Sequence, residues 1–290
     1  MKSVLILTFI LFSATTIAQP IVQNLGGSQW SFRLKDNPKW RPANVPGTVH
    51  TDLISDKSIP DPFYRDNERK VQWVSNLDWE YKLEFTPDPV LLAKPAIDLV
   101  FEGLDTYATV FLNDSLILST SNMFLQHHPE VKRLLKPGRN QIRVLFRSPI
   151  KGALSDLLAN PHTLTATSDA MPLNTSPYTR KAGYHFGWDW GPRLVASGIW
   201  RPVYLEGRDH ATLDQVFLET RSISGKNAKI SGRYRVLNPA KGMQLRIAFG
   251  EQVKFFPVKA GIQSIEDSFL LNIPDPHVWW SNGLGDQPLY

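Results

Sequence analysis

The sequence predicts an all-β protein in which a jelly-roll sandwich is followed by a smaller sandwich of immunoglobulin type. Short stretches of alternating apolar and polar residues recur along the chain, and turns rich in proline and glycine separate them. Trp79, Tyr81, Leu83 and Phe85 alternate with polar or charged neighbours, which is typical of a strand with one buried face. Many such short strands favour packed sheets over an alternating α/β arrangement.

Two further stretches of the first region carry strand signals. Residues 109–118 predict a hairpin whose turn is formed by Asn113 and Asp114. After the turn at residues 136–138, apolar residues alternate again over residues 142–146 and predict another strand.

One helix interrupts this pattern. Residues 149–160 carry apolar side chains at helical spacing, with Ser148 as a cap, Pro149 at the first position and Asn160-Pro161 at the end. Residues 163–179 show no periodicity, and loops of this length are uncommon unless they are functional. We interpret this stretch as a loop that frames a site, and an idle surface insertion is the alternative.

The pattern changes near residues 207–210, which predicts a domain boundary there. Ile230, Tyr234 and Val236 share one alternating face beyond it, and residues 243–249 form another. This arrangement fits an immunoglobulin-like sandwich that lacks the usual pair of cysteines. We therefore expect a first domain over residues 19–209 and a second over residues 210–290.

The start of the chain predicts export. Lys2 supplies a positive end, residues 4–12 form a short apolar run and residues 16–18 provide a cleavage site, so residues 1–18 resemble a signal peptide. The expected location is the periplasm or the medium, or the lysosome in a eukaryote. No later stretch approaches the ~20 apolar residues that span a bilayer, so no membrane partner is expected.

The composition excludes several classes of function. The formal net charge of +5 is spread along the chain without a Lys/Arg run, so a nucleic-acid partner is not expected. The chain contains no cysteine, which rules out metal sites built on thiolates. His127 and His128 are adjacent and would face opposite sides of a strand, and His50 stands alone as a structural residue. We predict neither a metal nor a cofactor.

The most distinctive chemistry lies at Trp188, Asp189 and Trp190, between Gly187 and Gly191. Two indoles beside one carboxylate are suited to a sugar. The apolar face of a pyranose stacks on an indole, and a carboxylate accepts hydrogen bonds from neighbouring hydroxyls. The alternative is structural, because tryptophans of β-rich chains usually lie in the core and one acid can simply satisfy a backbone N–H.

Other acids and bases near this stretch have weaker claims. Arg193 and Arg180 could pair with Asp189 and fix its orientation, or they could lie on the surface. Asp105 is more simply a structural acid than a catalytic partner of Asp189. No catalytic residue is therefore assigned in this chain.

Five blocks of the sequence resemble one enzyme family. GWDWGPR followed by SGIWRPVYLE is similar to the end of the N-terminal domain of β-mannosidases of glycoside hydrolase family 2. VPGTVHTDL, IPDPFYRDNE and FEGLDTYATVFLN agree in the same order, and WWSNGLGDQPLY resembles a run near the end of the second domain.

The resemblance implies a retaining exo-β-mannosidase that removes terminal β-D-mannose from mannosides or glycans. In that family a galactose-binding-like jelly roll and an immunoglobulin-like domain precede a (β/α)₈ barrel with two catalytic glutamates. Retaining enzymes hold these carboxyls ~5–5.5 Å apart. The 290 residues show no βαβ alternation. The resemblance thus implies that the barrel lies downstream and that the second domain lacks its last strand.

In this family the matching run reaches the barrel mouth, so the resemblance implies that Trp188, Asp189 and Trp190 contact the terminal mannose. Three alternatives remain open: a stand-alone carbohydrate-binding module, the N-terminal part of an exo-β-glucosaminidase, or a structural sandwich without a ligand.

Overall fold

A computed structural model describes residues 20–162, 164–165, 169, 173–208, 211–249, 252–259 and 264–290. The chain divides into two compact units, Met1–Arg208 and Asp209–Tyr290. Both are built from antiparallel sheets, so the prediction of an all-β protein is confirmed. The predicted signal peptide lies outside the described residues. Among the residues described, no helix is long and apolar enough to cross a membrane.

The first unit packs a six-stranded sheet against a three-stranded sheet. In chain order its strands are β1 (Ile21–Asn24), β2 (Gly27–Leu34), β3 (Arg41–Val45), β4 (Trp79–Phe85), β5 (Ala96–Phe101), β6 (Tyr107–Leu112), β7 (Ser115–Ser121), β8 (Asn140–Arg147) and β9 (Val203–Arg208). The larger sheet has the order β3-β2-β4-β8-β6-β7, and the smaller has the order β1-β9-β5.

The core between these sheets comes from the predicted alternation. On β4 the side chains of Trp79, Tyr81 and Leu83 are fully buried, and they belong to the same apolar cluster as Leu99 of β5 and Leu205 of β9. Burying a side chain of this size contributes about 1.5–3 kcal/mol. Two sheets that share such a core form a rigid support for the loops between their strands.

The predicted hairpin and helix are both present. β6 and β7 are joined by Asn113 and Asp114, whose φ angles of 49° and 67° are those of the two-residue turn that matches strand twist. The helix covers Pro149–Ala159, and Ser148 Oγ accepts a hydrogen bond from the backbone N–H of Lys151 at 3.1 Å.

Apart from this predicted helix, the short helices that lie between the strands were not identified by the sequence analysis. The α-helices are α1 (Val49–Ser55), α2 (Asn67–Val71), α3 (Pro89–Leu92) and α4 (Pro149–Ala159), and 3₁₀ segments cover Gln72–Asn76, Ser176–Tyr178 and Gly183–Phe186. Each of α1, α2 and α3 has only one or two turns, too few for a helical period to show in the sequence. α1 is fixed at its start by a capping box between Thr48 and Thr51.

The second unit contains β10 (Thr212–Ser224), β11 (Asn227–Leu237), β12 (Gln244–Phe249), β13 (Gln252–Pro257) and β14 (Ser264–Pro274). Its sheets have the orders β10-β11-β14 and β12-β13. Tyr234 and Val236 are buried, as the pattern predicted, and residues of β12 pack against the same apolar cluster.

A buried hydrogen bond joins α1 to the first sandwich and gives a first prediction. Tyr81 Oη donates to Asp52 Oδ2 at 2.6 Å, and Asp52 also accepts from the backbone N–H of Asn44 at 2.9 Å. We expect Tyr81→Phe to lower the free energy of unfolding by about 1–3 kcal/mol, since it leaves a buried carboxylate oxygen without its donor. Urea denaturation measures this change. Tyr107→Phe is the matched control, because its hydroxyl makes only long contacts of 3.4 Å, and an equal loss in both variants would contradict the assignment.

Candidate functional site

Residues 188–191 form a closed turn, which we call the indole turn. The backbone N–H of Trp188 donates to the carbonyl of Gly191 at 3.0 Å, and the N–H of Gly191 donates back to Trp188 at 3.3 Å. Asp189 and Trp190 therefore occupy the tip. Gly187, just before the turn, has φ of +95°, a conformation that favours glycine.

The indole turn presents its side chains to solvent. Trp190 is 84% exposed, Trp188 is 53% exposed, and Asp189 is also exposed. The structural alternative, in which these tryptophans belong to the core, is therefore wrong. Exposed indoles beside an exposed carboxylate are free to meet a ligand.

An apolar groove of about 740 Å³ lies beside the indole turn, and we call it the aromatic groove. Its lining residues are Thr48, His50, Thr51, Ile54, Pro62, Phe63, Tyr184, His185, Trp188, Trp190, Gly191, Pro192, Leu194 and Ala196. Both indoles of the turn are among them and Asp189 is not. Trp188 and Trp190 thus wall the groove, whereas the carboxylate lies outside its lining.

Two of the blocks that carry the family resemblance meet at this groove. VPGTVHTDL supplies α1 with its cap, and IPDPFYRDNE supplies Pro62 and Phe63. Backbone hydrogen bonds hold the start of α1 in place, from Gly47 to Ile199 and from Val49 to Ser197, each at 2.8 Å. These blocks lie 120 residues or more from the indole turn, and sequence periodicity carries no signal for such a contact.

Two histidines of the groove are held neutral by burial. The pKa of His50 is lowered from 6.5 to about 4, chiefly by desolvation and then by the nearby charge of Lys181. The pKa of His185 is also lowered to about 4, chiefly by desolvation and then by Lys181. Both imidazoles are uncharged at neutral pH, so the groove stays apolar.

These two pKa values predict an acid-sensitive unit. Below pH 6.5 the unfolded chain binds protons at both histidines while the folded chain does not, so stability falls as the pH drops from 6.5 towards 4. The limiting slope is about 1.4 kcal/mol per pH unit for each histidine. Urea denaturation at several pH values in this range should show that the free energy of unfolding falls more steeply with decreasing pH in the parent chain than in the double variant His50→Gln/His185→Gln. Equal slopes would contradict the assignment.

A buried ion pair fixes both ends of the segment that carries the indole turn. Lys181 Nζ contacts the Asp105 carboxylate, and neither side chain is more than 1% exposed. The same ammonium donates to the carbonyl of Ala196 at 2.8 Å. Asp105 and Gly198 also exchange two backbone hydrogen bonds of 2.9 Å. Asp105 is therefore a structural acid, and no local pattern in the sequence identifies Lys181 as its partner.

Both roles left open for Arg193, pairing with Asp189 or a place on the surface, are wrong. Arg193 is buried, and its Nε donates to Asp169 Oδ1 at 3.1 Å. Asp169 belongs to the unpatterned stretch at residues 163–179, so a described residue of that loop does approach the indole turn. Arg180 is exposed at the start of the segment. Within the described ranges, no group of three or more potential metal ligands is found.

Comparisons with known proteins point to one family. Residues 30–201 match the family described as "Glycosyl hydrolase 2 galactose-binding domain-like". Beta-mannosidase B of Thermothelomyces thermophilus is 35% identical over 286 residues, which cover 96% of this chain and 32% of that protein. Beta-mannosidase B of Aspergillus terreus is 32% identical over 269 residues, which cover 90% of this chain and 31% of that protein.

Solved structures agree with this match. The β-D-mannosidase of Dictyoglomus thermophilum aligns with a TM-score of 0.77 and 35% identity, over 92% of this chain and 33% of that one. An exo-β-D-glucosaminidase aligns with a TM-score of 0.61 at 16% identity, which shows the shared fold alone. The chain spans about a third of the length of the β-mannosidases it matches. The chain belongs to glycosyl hydrolase family 2, because the match to that family's galactose-binding-like domain covers more than half of the chain's residues.

Proposed function

We propose that this chain is the N-terminal, non-catalytic part of a retaining exo-β-mannosidase that removes terminal β-D-mannose from mannosides or glycans. In this proposal the indole turn contributes Trp188, Asp189 and Trp190 to the mannose site, and the two catalytic carboxylates belong to a barrel downstream. The chain spans about a third of the length of its β-mannosidase relatives, which supports a further domain.

The exposed tip of the indole turn is the observation that carries the proposal. Asp189 is exposed between Trp188, which is about half exposed, and Trp190, which is mostly exposed. Its carboxylate oxygens can therefore accept hydrogen bonds from sugar hydroxyls. The turn stands on a segment fixed by Lys181 and Arg193, which limits its movement. An exposed acid on a fixed turn suits recognition across a domain boundary.

The second unit supports a further proposal, that another strand completes it as an immunoglobulin-like sandwich. Val216 and Leu218 of β10 pair with Tyr234 and Gly232, which lie on the buried face of the sheet. Both β10 side chains are nevertheless more than half exposed. An exposed apolar strand face of this kind is suited to packing against a further strand.

We also propose that residues 1–18 direct export, because Lys2 and the apolar run after it are typical of a signal peptide.

A chimeric enzyme tests the main proposal. In it, this chain replaces the matching N-terminal third of the Dictyoglomus thermophilum β-mannosidase. We expect turnover of p-nitrophenyl β-mannoside by the chimera and none by the 290-residue chain alone. Turnover by the isolated chain above a heat-treated control would contradict the assignment of catalysis to a downstream barrel.

Two other measurements separate the alternatives. Titration calorimetry of the isolated chain with mannose and manno-oligosaccharides should show no heat of binding. Tight binding that is lost in Asp189→Ala would instead make the chain a stand-alone binding module.

A panel of β-mannoside and β-glucosaminide substrates on the chimera should favour the mannoside. A preference for the glucosaminide would place the chain with exo-β-glucosaminidases.

A further inference from the structure

We propose that Arg193 is the positioning residue of the indole turn, which it orients through the backbone without touching the sugar. This inference rests on the proposed function, because the orientation of the turn matters to activity only if Asp189 and the indoles meet the substrate. Arg193 is 6% exposed, so a bound sugar cannot reach its guanidinium. Its contacts instead lie within the chain, on both sides of the turn.

On one side, Arg193 is tied to the helical segment that begins with α2. Its backbone N–H donates to Glu68 Oε1 at 2.8 Å, and its carbonyl accepts from Gln72 Nε2 at 2.8 Å. Its Nη1 donates in return to Gln72 Oε1 at 2.9 Å. The main chain of Arg193 is therefore fixed to both Glu68 and Gln72, and its side chain is fixed to Gln72 as well.

On the other side, Arg193 meets the segment that enters the turn. Its guanidinium carbon lies 5.8 Å from the ring centre of Phe186, which is fully buried. A Cβ added to Gly187 would lie 3.2 Å from Arg193 Cβ, so the entering and leaving segments pack closely there. The Leu194 N–H donates to the carbonyl of His185 at 2.9 Å and closes the base.

The chemistry of these contacts requires arginine. A planar guanidinium presents several donors in a fixed fork, and here separate nitrogens reach Asp169 and Gln72. A lysine ammonium keeps the charge but is a single point on a flexible stem. The hydrogen bonds of the indole turn close it without fixing it to the sandwich, whereas Arg193 makes that link.

Hydrogen exchange of the isolated chain tests the positioning directly, because it needs no sugar. In Arg193→Met we expect the amides of Trp188, Gly191 and Leu194 to exchange about 10–100-fold faster, while amides of β4 and β8 keep their rates. Arg193→Lys should recover part of the protection. Arg180→Met, at an exposed arginine of the same segment, should change nothing. Unchanged turn amides would overturn the inference, and so would faster exchange throughout the unit.

The chimeric enzyme then separates this inference from the proposed function. We expect Arg193→Met to lower kcat/KM by about tenfold or more, with partial rescue in Arg193→Lys. If Asp189→Ala is impaired while Arg193→Met is not, the positioning role is overturned and the proposed function stands. If neither variant is impaired, the proposed function itself fails.

Discussion

Replacing Asp189 with alanine in the chimeric enzyme is expected to lower kcat/KM for a β-mannoside by about 10²-fold or more. A charged hydrogen bond contributes about 1.5–3 kcal/mol, and one carboxylate can accept from two neighbouring hydroxyls. Asp189 is exposed, so its removal should leave the fold intact. Steady-state kinetics with p-nitrophenyl β-mannoside, together with a thermal melt, separate lost recognition from lost structure.

The matched control for this variant is Asp66→Ala. Asp66 is an exposed acid at the N-terminus of α2, and its carboxylate lies 3.6 Å from Nζ of the exposed Lys70, a surface ion pair that contributes little. We expect this control to keep wild-type kinetics. Asp189→Asn should be intermediate, since its side chain retains one accepting oxygen. Wild-type kinetics in Asp189→Ala would show that this acid does not hold the sugar.

Replacing Lys181 with methionine should produce the largest loss of stability, about 3–5 kcal/mol. Lys181 and Asp105 are both fully buried, so removing one partner leaves an uncompensated charge in the interior. Burial lowers the pKa of Lys181 and Asp105 opposes that shift, as expected for an ammonium that depends on its partner to remain charged. The methionine also loses the hydrogen bond to Ala196. Chemical denaturation of the 290-residue chain measures the change.

Two further variants isolate the cause of that loss. Lys151→Met removes an exposed lysine from α4 and should stay within about 0.5 kcal/mol of the parent chain. The double variant Lys181→Met/Asp105→Leu should recover part of the loss, because no buried charge is then left alone. A double variant less stable than Lys181→Met would mean that the packing around the pair, rather than the charge, sets the cost.

The strands and the start of α4 could be predicted because their signals are local. Tyr81 and Leu83 alternate with polar neighbours along one strand, and Ser148 with Pro149 marks the start of α4 within two positions. The exposed tip of the indole turn could be anticipated only in part. The residue types pointed to a sugar site, but they also left open the alternative that Trp188 and Trp190 lie in the core.

The supports of the turn could not be predicted because they join distant parts of the chain. Lys181 meets Asp105 across 76 positions, and Arg193 meets Glu68 across 125 positions. For Arg193, the sequence left open a pairing with Asp189, which is nearby in sequence, or a place on the surface. The fold instead directs its guanidinium towards the interior, to Asp169, and leaves Asp189 at the surface. Outside a regular element, nearness along the chain does not by itself predict a contact between two side chains.

A crystal structure of the chimeric enzyme with bound mannose tests the central claim most directly. The account predicts an Asp189 carboxylate oxygen within about 3 Å of a sugar hydroxyl, with an indole of Trp188 or Trp190 beside the ring. A sugar held entirely by the downstream barrel, with Asp189 beyond hydrogen-bond reach and both indoles covered by protein, would contradict it.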